Sequence, residues 1–395
     1  MLRRCGIALL IACAGMVALP ALASARASTR DVIAIGNNWD GTADIVDAKS
    51  FKKLIHLNIV PDLAERRLSM ITNPYYVLVH QLVGEGHDQL VDDMFTSHDG
   101  RYLYVSRPSL TDVVAIDLRT RKIVWRTAVD GGRSDHMAIS PDGKRLLVSA
   151  STANVVDVID TADGRIVARV PSGDSPHESN FSNNGKLVYH ASIGRVYVPT
   201  TDDLTDMAKG KKLFEIIDAK TWKVLDSFDL NDKLAEFGRP DVDGTIRPMA
   251  VTPNERKAYF QTSFLHGFVE YSFKSGKVQR VIELPARTDD YVLNSAHHGL
   301  ALNPKGTKLC SAGTIDDYVA ITHTDDFSYK LIDTGDRPYW ATNSADGKYC
   351  YVSIAEDDYV SVISYAKERE VAQIPVGRHP QRIRTGELVS SALHR

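Results

Sequence analysis

The chain has 395 residues, 43% of them hydrophobic, and a formal net charge of −3 at pH 7. Because it has no run of basic residues, nucleic acid and anionic membranes are not expected partners. Its length fits either one large all-β domain or two average domains, so internal repeats have to decide.

The N-terminus has the pattern of an export signal. Two arginines at positions 3–4 precede an apolar run over 7–18, and small residues follow. This pattern predicts a signal peptide over residues 1–25, which places the mature protein in the periplasm or outside the cell. The apolar run is too short for a membrane span, so none is expected. Two alternatives stay open: a lipoprotein processed at Cys13, and twin-arginine export.

After the leader, the sequence repeats with a period of about 40 residues. One signature is a β-prone run that ends in a polar residue and leads into a turn. Its seven copies are Ile45–Lys49, Ala115–Arg119, Val158–Ala162, Ile216–Lys220, Glu270–Lys274, Ile321–Asp325 and Val362–Ala366. The second signature is an apolar strand, a tight turn of the Pro-Asp-Gly type and another alternating strand. Its six copies have their turns at Ser97–Gly100, Ser140–Gly143, Ser182–Gly185, Thr252–Glu255, Asn303–Gly306 and Ser344–Gly347.

The two signatures assign four antiparallel strands, a to d, to each repeat. The c–d turn occurs seven times and the a–b turn six times, so one innermost strand is missing from the array. The chain starts with strands b, c and d over 31–60 and ends with a strand-like segment at 379–384, which can supply it. We therefore predict an all-β, seven-bladed β-propeller of four-stranded antiparallel blades. It would be a single domain over 31–388, closed by pairing of its N- and C-terminal segments.

Two repeat segments carry a resemblance to a known family. Pro141–Val148 and Tyr349–Ser353 resemble the repeats of YVTN-type β-propellers, a superfamily with lactonase-like and YncE-like members. The resemblance covers nearly the whole chain after the leader, and it implies the same fold. It implies no single activity, because such propellers include lactonases, lyases, electron-transfer subunits and binding proteins.

Two cysteines, Cys310 and Cys350, remain after the leader in a compartment where disulfides form. Aligned as Lys308–Cys310 and Lys348–Cys350, they occupy the same position of successive repeats. Their side chains should then point the same way around the ring and not toward each other. We expect two unpaired, buried thiols.

Long connections collect on one face of the predicted ring. The a–b and c–d turns lie on one face, and the b–c and d–a connections lie on the other. The former are short throughout, whereas four long segments, 61–88, 194–211, 231–246 and 285–296, are b–c or d–a connections. Long loops in compact domains are frequently functional, so we expect the site for a small-molecule ligand or a protein partner on this long-loop face. The alternative is that insertions accumulate on a permissive face without a function.

Polar pairs mark the start of each innermost strand, at the mouth of the central channel. In chain order they are Asp92-Asp93, Asp135-His136, His177-Glu178, Arg247-Pro248, His298-Gly299, Tyr339-Trp340 and Gln381-Arg382. Imidazoles and carboxylates that converge from different strands can act as general acid and base or bind a divalent cation. The alternative is a scaffold role, because such side chains also bind neighbouring backbone, and one member of each pair packs between blades.

The chemistry of these pairs suggests a role for each. The predicted metal ligands are His136, His177 and His298, with Glu178 or Asp93 as a fourth. The predicted catalytic groups are His136, His177, Glu178, Arg247 and Asp93. The predicted substrate contacts are Asp135, Tyr339, Trp340 and Arg382. In this scheme Arg247 holds an anionic group or an oxyanion.

Two further groups of polar residues on the same face can be explained without a function. The pair His297-His298 can supply one ligand and one core residue, and the acidic tips Asp316-Asp317 and Asp357-Asp358 resemble solvated edges. Calcium at these tips is the alternative, although no EF-hand spacing supports it.

Three functions fit these observations. The first is an exported enzyme of hydrolase or lyase type that acts on a small lactone or other carbonyl compound. It would use acid–base or metal-assisted catalysis at the channel mouth, with a divalent metal ion as the one cofactor that the residues suggest. The second is a periplasmic or extracellular binding scaffold without catalysis. The third is an electron-transfer subunit, which rests on fold resemblance alone.

Overall fold

A computed structural model describes residues 28–195, 208–289, 291 and 295–393. The predicted signal peptide, 1–25, and most of the predicted loop 194–211 lie outside the described residues. Within the described residues, 28 strands form seven four-stranded antiparallel sheets.

The strands follow one another around the ring, from the innermost to the outermost strand of each blade. Blade 1 contains β28 (Pro380–Val389), β1 (Thr29–Asn37), β2 (Thr42–Asp47) and β3 (Lys53–Asn58). Blade 2 contains β4 (Met94–Thr96), β5 (Tyr102–Arg107), β6 (Asp112–Asp117) and β7 (Lys122–Ala128), and blade 3 contains β8 (Ser134–Ile139), β9 (Arg145–Ala150), β10 (Val155–Asp160) and β11 (Ile166–Pro171). Blade 4 contains β12 (Pro176–Phe181), β13 (Leu187–Ser192), β14 (Phe214–Asp218) and β15 (Lys223–Phe228), and blade 5 contains β16 (Ile246–Val251), β17 (Lys257–Thr262), β18 (Gly267–Ser272) and β19 (Lys277–Glu283). Blade 6 contains β20 (Gly299–Leu302), β21 (Lys308–Gly313), β22 (Tyr318–His323) and β23 (Tyr329–Asp333), and blade 7 contains β24 (Pro338–Asn343), β25 (Tyr349–Ile354), β26 (Tyr359–Ser364) and β27 (Arg369–Pro375).

The ends of the chain close the ring, as predicted. β28 is the innermost strand of blade 1 and pairs antiparallel with β1, from Thr29 opposite Val389 to Ile35 opposite Ile383. The C-terminal strand therefore fills the place that the repeat count leaves empty, and the sheet of blade 1 is made from both ends of the chain. The predicted all-β, seven-bladed propeller is confirmed.

The hydrophobic core lies between neighbouring blades. Ile45 and Leu57 of blade 1, for example, belong to one buried cluster with Leu103 and Val105 of blade 2. Exposure increases outward: β5 is buried along most of its length, whereas β7 alternates between exposed and half-buried residues. Each sheet is thus covered on both faces by its neighbours, which explains why a strand such as β5 is buried along most of its length.

Helices occur only in the long connections of the described chain. α1 (Leu63–Ile71), α2 (Tyr76–Leu78) and a π-helical turn (Val79–Val83) lie between β3 and β4, and α3 (Leu230–Phe237) lies between β15 and β16. Short 3₁₀ turns occur at Pro108–Leu110 and Ser390–Leu393. None of the helices in the described residues is long and apolar enough to span a membrane.

The expectation of two unpaired thiols is wrong, because Cys310 and Cys350 form a disulfide between blades 6 and 7, with their Cα atoms 6.6 Å apart. The two cysteines are 40 residues apart, whereas the turns that precede them are 41 apart, as Asn303 and Ser344 close equivalent turns. Cys350 therefore corresponds to Leu309 and not to Cys310. A shift of one residue along a strand moves a side chain to the opposite face of the sheet, so the two sulfurs face each other across the blade interface.

Candidate functional site

The polar pairs lie where the innermost strands depart from regular pairing. In five of the seven blades the register shifts across the pair, at Asp135-His136, His177-Glu178, Arg247-Pro248, Tyr339-Trp340 and Gln381-Arg382. A β-bulge redirects side chains that regular pairing would send to alternate faces. This irregularity, repeated around the ring, directs polar side chains to one level at the mouth of the channel on the long-loop face.

A small cavity of about 50 Å³ occupies this mouth. Its lining includes seven of the predicted site residues: Asp135, His136, His177, Arg247, His298, Tyr339 and Arg382. Asp92 and Gln381, from the same polar pairs, also line it, as do Val83, Gln89, Arg133, Ile193 and Lys209, which the sequence did not indicate. A cavity of this size holds a few water molecules or a small polar ligand.

Three histidines from blades 3, 4 and 6 form the centre of the site. The ring centroids of His136 and His177 are 3.8 Å apart, and that of His298 lies 5.5 Å from His177 and 6.2 Å from His136. One ring nitrogen of each lies within 4.8 Å of those of the other two. All three are buried, and burial holds the pKa of each well below the usual value, with neighbouring positive charge contributing. The imidazoles are therefore neutral, the form that ligates metals or accepts protons.

Arg382 lies next to this cluster. Its Nη2 atom contacts Nε2 of His136, and its Cζ atom lies 4.2 Å from the ring centroid of Trp340. The side chain is fully buried, yet its Nε and Nη1 atoms have no hydrogen-bond partner. A buried guanidinium with unused donors is costly unless a ligand accepts from them.

The cavity has an excess of positive charge. Arg133, Lys209, Arg247 and Arg382 line it against two carboxylates, Asp92 and Asp135. Arg133 donates from Nε to Oδ2 of Asp135 over 3.2 Å and from Nη1 to Gln89. Burial raises the pKa of Asp92 to about 7, even though Arg382 opposes the shift. Cationic side chains thus outnumber carboxylates in the lining of the cavity, which favours an anionic ligand.

Three predicted site residues lie outside this cavity. Asp93 accepts a hydrogen bond from the backbone N–H of Met137 in the next blade over 3.0 Å and forms a two-bond ion pair with Arg384. Glu178 likewise accepts a hydrogen bond from the backbone of the next blade: its Oε2 in blade 4 accepts from the N–H of Met249 in blade 5 over 2.8 Å. Both carboxylates thus join neighbouring blades, and we leave them out of the proposed chemistry.

Trp340 is the third predicted site residue that lies outside the cavity. Its ring lies 5.7 Å from that of His136, and the residue lines a separate cavity at the opposite mouth of the channel. It supports Arg382 by stacking and does not face the ligand cavity.

Comparisons with known proteins agree with this architecture. A family model described as YNCE-like beta-propeller matches residues 91–183, which include blade 2, blade 3 and the innermost strand of blade 4. The match covers about a quarter of the chain, so it shows that these residues are similar to YNCE-like β-propellers. No curated protein sequence matches the chain.

Among solved structures, the propeller is similar to Hydrazine Synthase of Kuenenia stuttgartiensis, with 19% sequence identity and a TM-score of 0.59. The superposition covers 84% of this chain and 95% of that one. At this identity, the similarity shows the fold alone. The chemistry of the site therefore follows from the residues of this chain alone.

Sequence reasoning missed several cavity residues for different reasons. Asp92, and not its neighbour Asp93, faces the cavity, and the sequence does not decide between them. Arg133 precedes Asp135 by two residues, a spacing that places both side chains on one face of a strand, so this residue could have been found. Lys209 and Gln89 come from long connections, whose path no local pattern reveals.

Proposed function

We propose that this propeller is an enzyme of hydrolase or lyase type that acts on a small anionic organic molecule at the channel mouth. The observation that carries the proposal is the convergence of three buried, neutral imidazoles with the guanidinium of Arg382, two of whose nitrogens have no hydrogen-bond partner, in one cavity. A purely structural role for three histidines does not require an adjacent buried arginine with unused donors. Titratable groups with shifted pKa values in a cavity are typical of functional sites.

The cationic side chains would bind the substrate. Arg382 offers two free donors, Nε and Nη1, to a carboxylate. Arg247 lies in the same cavity and is held by a hydrogen bond from its Nε to Oγ of Ser263 over 3.1 Å. Two arginines that face one space can orient a carboxylate and also stabilise an oxyanion that develops beside it.

The imidazoles fit a divalent metal ion. Three neutral nitrogen ligands from separate strands are a common ligand set for zinc, and His177 is fixed because Oγ of Ser149 donates to its backbone carbonyl over 2.7 Å. A bound ion would act as a Lewis acid toward a carbonyl or lower the pKa of a bound water molecule. Arg382 would then have to release His136, and Oδ1 of Asp92, 3.9 Å from its Nη2, is within reach as a new partner.

Asp92 would transfer protons. Because burial raises its pKa to about 7, the carboxyl group exchanges a proton near neutral pH, as a general acid or base requires. This group replaces Asp93 and Glu178 of the sequence-based scheme.

The test is a comparison of metal and ligand binding among purified variants. We expect His177→Ala to lose one equivalent of bound Zn²⁺ relative to the unaltered protein, and Arg382→Met to weaken binding of a small 2-hydroxycarboxylate, such as lactate, by roughly 10–100-fold. The control is His323→Ala, which removes a half-exposed histidine on an outer turn of blade 6. If metal and carboxylate binding are the same in all four proteins, the proposal is wrong.

A binding scaffold is the second candidate, because the long-loop face carries exposed apolar side chains. Leu68 is 69% exposed and Val77 64%, and Ile71 and Leu78 of the same connection are also exposed. Such a patch is typical of protein contacts. A partner that is captured by the unaltered protein and by His177→Ala, but not by Leu68→Asp with Val77→Asp, would favour this function.

We further propose that the protein is exported after cleavage of residues 1–25, which rests on the pattern of the leader. Mass spectrometry of the mature protein, purified from its own host, should give the mass of a chain without these residues. A retained N-terminus, or a mature chain that begins at a lipidated Cys13, would contradict cleavage at this site.

A further inference from the structure

We infer that His266, His297 and Asp316 form a second divalent metal site, outside the channel on the long-loop face. The three residues come from separate connections. His266 precedes β18 of blade 5, Asp316 precedes β22 of blade 6, and His297 lies in the long connection between β19 and β20. This inference does not depend on the proposed function of the channel site.

The two imidazoles are directed at a single carboxylate oxygen. Nδ1 of His266 and Nε2 of His297 each lie 2.8 Å from Oδ2 of Asp316. The other oxygen, Oδ1, accepts a hydrogen bond from the backbone N–H of Arg287 over 2.7 Å. All three side chains are buried.

The buried carboxylate of Asp316 is in contact with two imidazoles and one backbone N–H. Among the described residues, no lysine or arginine forms an ion pair with Asp316; Nη2 of Arg287 lies instead 2.5 Å from Oδ1 of Asp333. The outward nitrogens, Nε2 of His266 and Nδ1 of His297, have no hydrogen-bond partner. A fully buried carboxylate is costly without a cation. Two nitrogens and one oxygen around a dication would remove this cost.

The cluster needs only a small change to hold an ion. Zinc binds nitrogen and carboxylate oxygen at about 2.0–2.2 Å, so tetrahedral ligand atoms are about 3.3 Å apart. The present separations of 2.8 Å would therefore open by roughly half an ångström.

Blade 7 has an aspartate at the position equivalent to Asp316, but none of the described histidines contacts it. Asp357 lies 41 residues after Asp316, at the equivalent point of blade 7, and its Oδ2 accepts the backbone N–H of Asp336 over 2.7 Å. This bond matches the one from Arg287 to Asp316. No histidine of the described residues contacts the Asp357 carboxylate. Binding of the neighbouring backbone thus requires only the carboxylate, and the two histidines at Asp316 need a separate explanation.

An ion here would join the long connection of blade 6 to the loops of blades 5 and 6. Because His297 directly precedes His298, the second site would also fix the backbone that carries one of the channel imidazoles. The role of the ion would be to hold this part of the site in place, as second-layer interactions do for other metal sites.

The experiment measures bound Zn²⁺ in the full-length protein after dialysis against excess metal and then buffer. We expect Asp316→Asn and His266→Gln each to lose one equivalent relative to the unaltered protein. Asp316→Asn combined with His177→Ala should lose two. Asp357→Asn is the matched control and should retain all bound zinc.

A separate spectroscopic measurement guards against loss of zinc through misfolding. Co²⁺ bound to the folded His177→Ala variant should give the visible absorption of a four-coordinate ion, and adding His297→Gln should abolish it while circular dichroism is unchanged. The inference fails if Asp316→Asn and His266→Gln retain the full zinc content. Failure of the channel site would show instead as unchanged zinc in His177→Ala alone, so the two outcomes are distinguishable.

Discussion

The two mouths of the channel are built from opposite ends of the same strands, yet their chemistry differs. At the short-turn mouth, one hydrogen bond recurs: a Ser or Thr hydroxyl donates to the Asp or Asn two residues later. Its copies are Ser97–Asp99, Ser140–Asp142, Ser182–Asn184, Thr252–Asn254 and Ser344–Asp346. At the long-loop mouth the residue types vary around the ring, and the side chains include acids, bases and aromatics.

The pKa values of the acidic groups also differ between the two mouths. At the short turns, the Ser140 hydroxyl lowers the pKa of Asp142, and Lys348 lowers that of Asp346. At the long-loop mouth, burial raises the pKa of Asp92 to about 7. One turn bond repeated from blade to blade is typical of a scaffold, whereas buried groups with shifted pKa values cost stability and are typical of a site.

The largest expected effect concerns the carboxylates that join the blades just below the cavity. Asp93→Asn breaks the buried ion pair with Arg384, so we expect it to lower the free energy of unfolding by about 3 kcal/mol. The adjacent Asp92→Asn is the matched control. It replaces a carboxyl group that burial disfavours in its charged form, and should not destabilise the protein at pH 8. Denaturant unfolding at pH 8 measures the free energy of unfolding of both variants. Equal losses would contradict the claim that Asp93 joins the blades and Asp92 does not.

The next effect concerns the cationic lining. Arg247→Met removes one charged donor from the cavity, so we expect the affinity for a small carboxylate to fall roughly tenfold. Arg256→Met, in the exposed short turn of the same blade, should leave the affinity unchanged. Calorimetric titration with lactate measures both. Similar affinities for the two variants would mean that the charge of the cavity does not select the ligand.

A pH-dependent effect is expected at Asp157 in blade 3, a buried acid that accepts the N–H of Asp130 in a connection of the long-loop face. Burial raises its pKa to about 6 from 3.8 in the unfolded chain. Its protonated form is favoured in the fold, so its contribution to stability is present below about pH 4 and is lost as pH rises to about 6. The Tm of Asp157→Asn relative to the unaltered protein should therefore rise between pH 4 and pH 7. A pH-independent difference would contradict the shift.

The smallest effect is expected at the short turns. Ser140→Ala removes the acceptor for the N–H groups of Lys144 and Arg145 and the donor to Asp142. We expect a loss of about 1 kcal/mol in the free energy of unfolding and no change in carboxylate or zinc binding. Any loss of binding would show that the two mouths are coupled through the blade.

The sequence determined the number of blades, the closure by both ends and the level at which seven of the predicted site residues meet, because repeat period and turn residues are local properties of the chain. It could not decide which member of a polar pair faces the cavity. Asp92 and Asp93 differ by one position, and only the path of the backbone decides which of them faces the cavity.

The sequence likewise could not reveal the disulfide or the second histidine cluster. Cys310 and Cys350 meet because the two repeats differ by one residue from the period we assumed, and such a shift reverses the face of a strand. His266, His297 and Asp316 are far apart in the chain and meet only where three connections converge. Local patterns thus fix the scaffold, whereas contacts between blades, which depend on register and loop path, are decided by the tertiary structure.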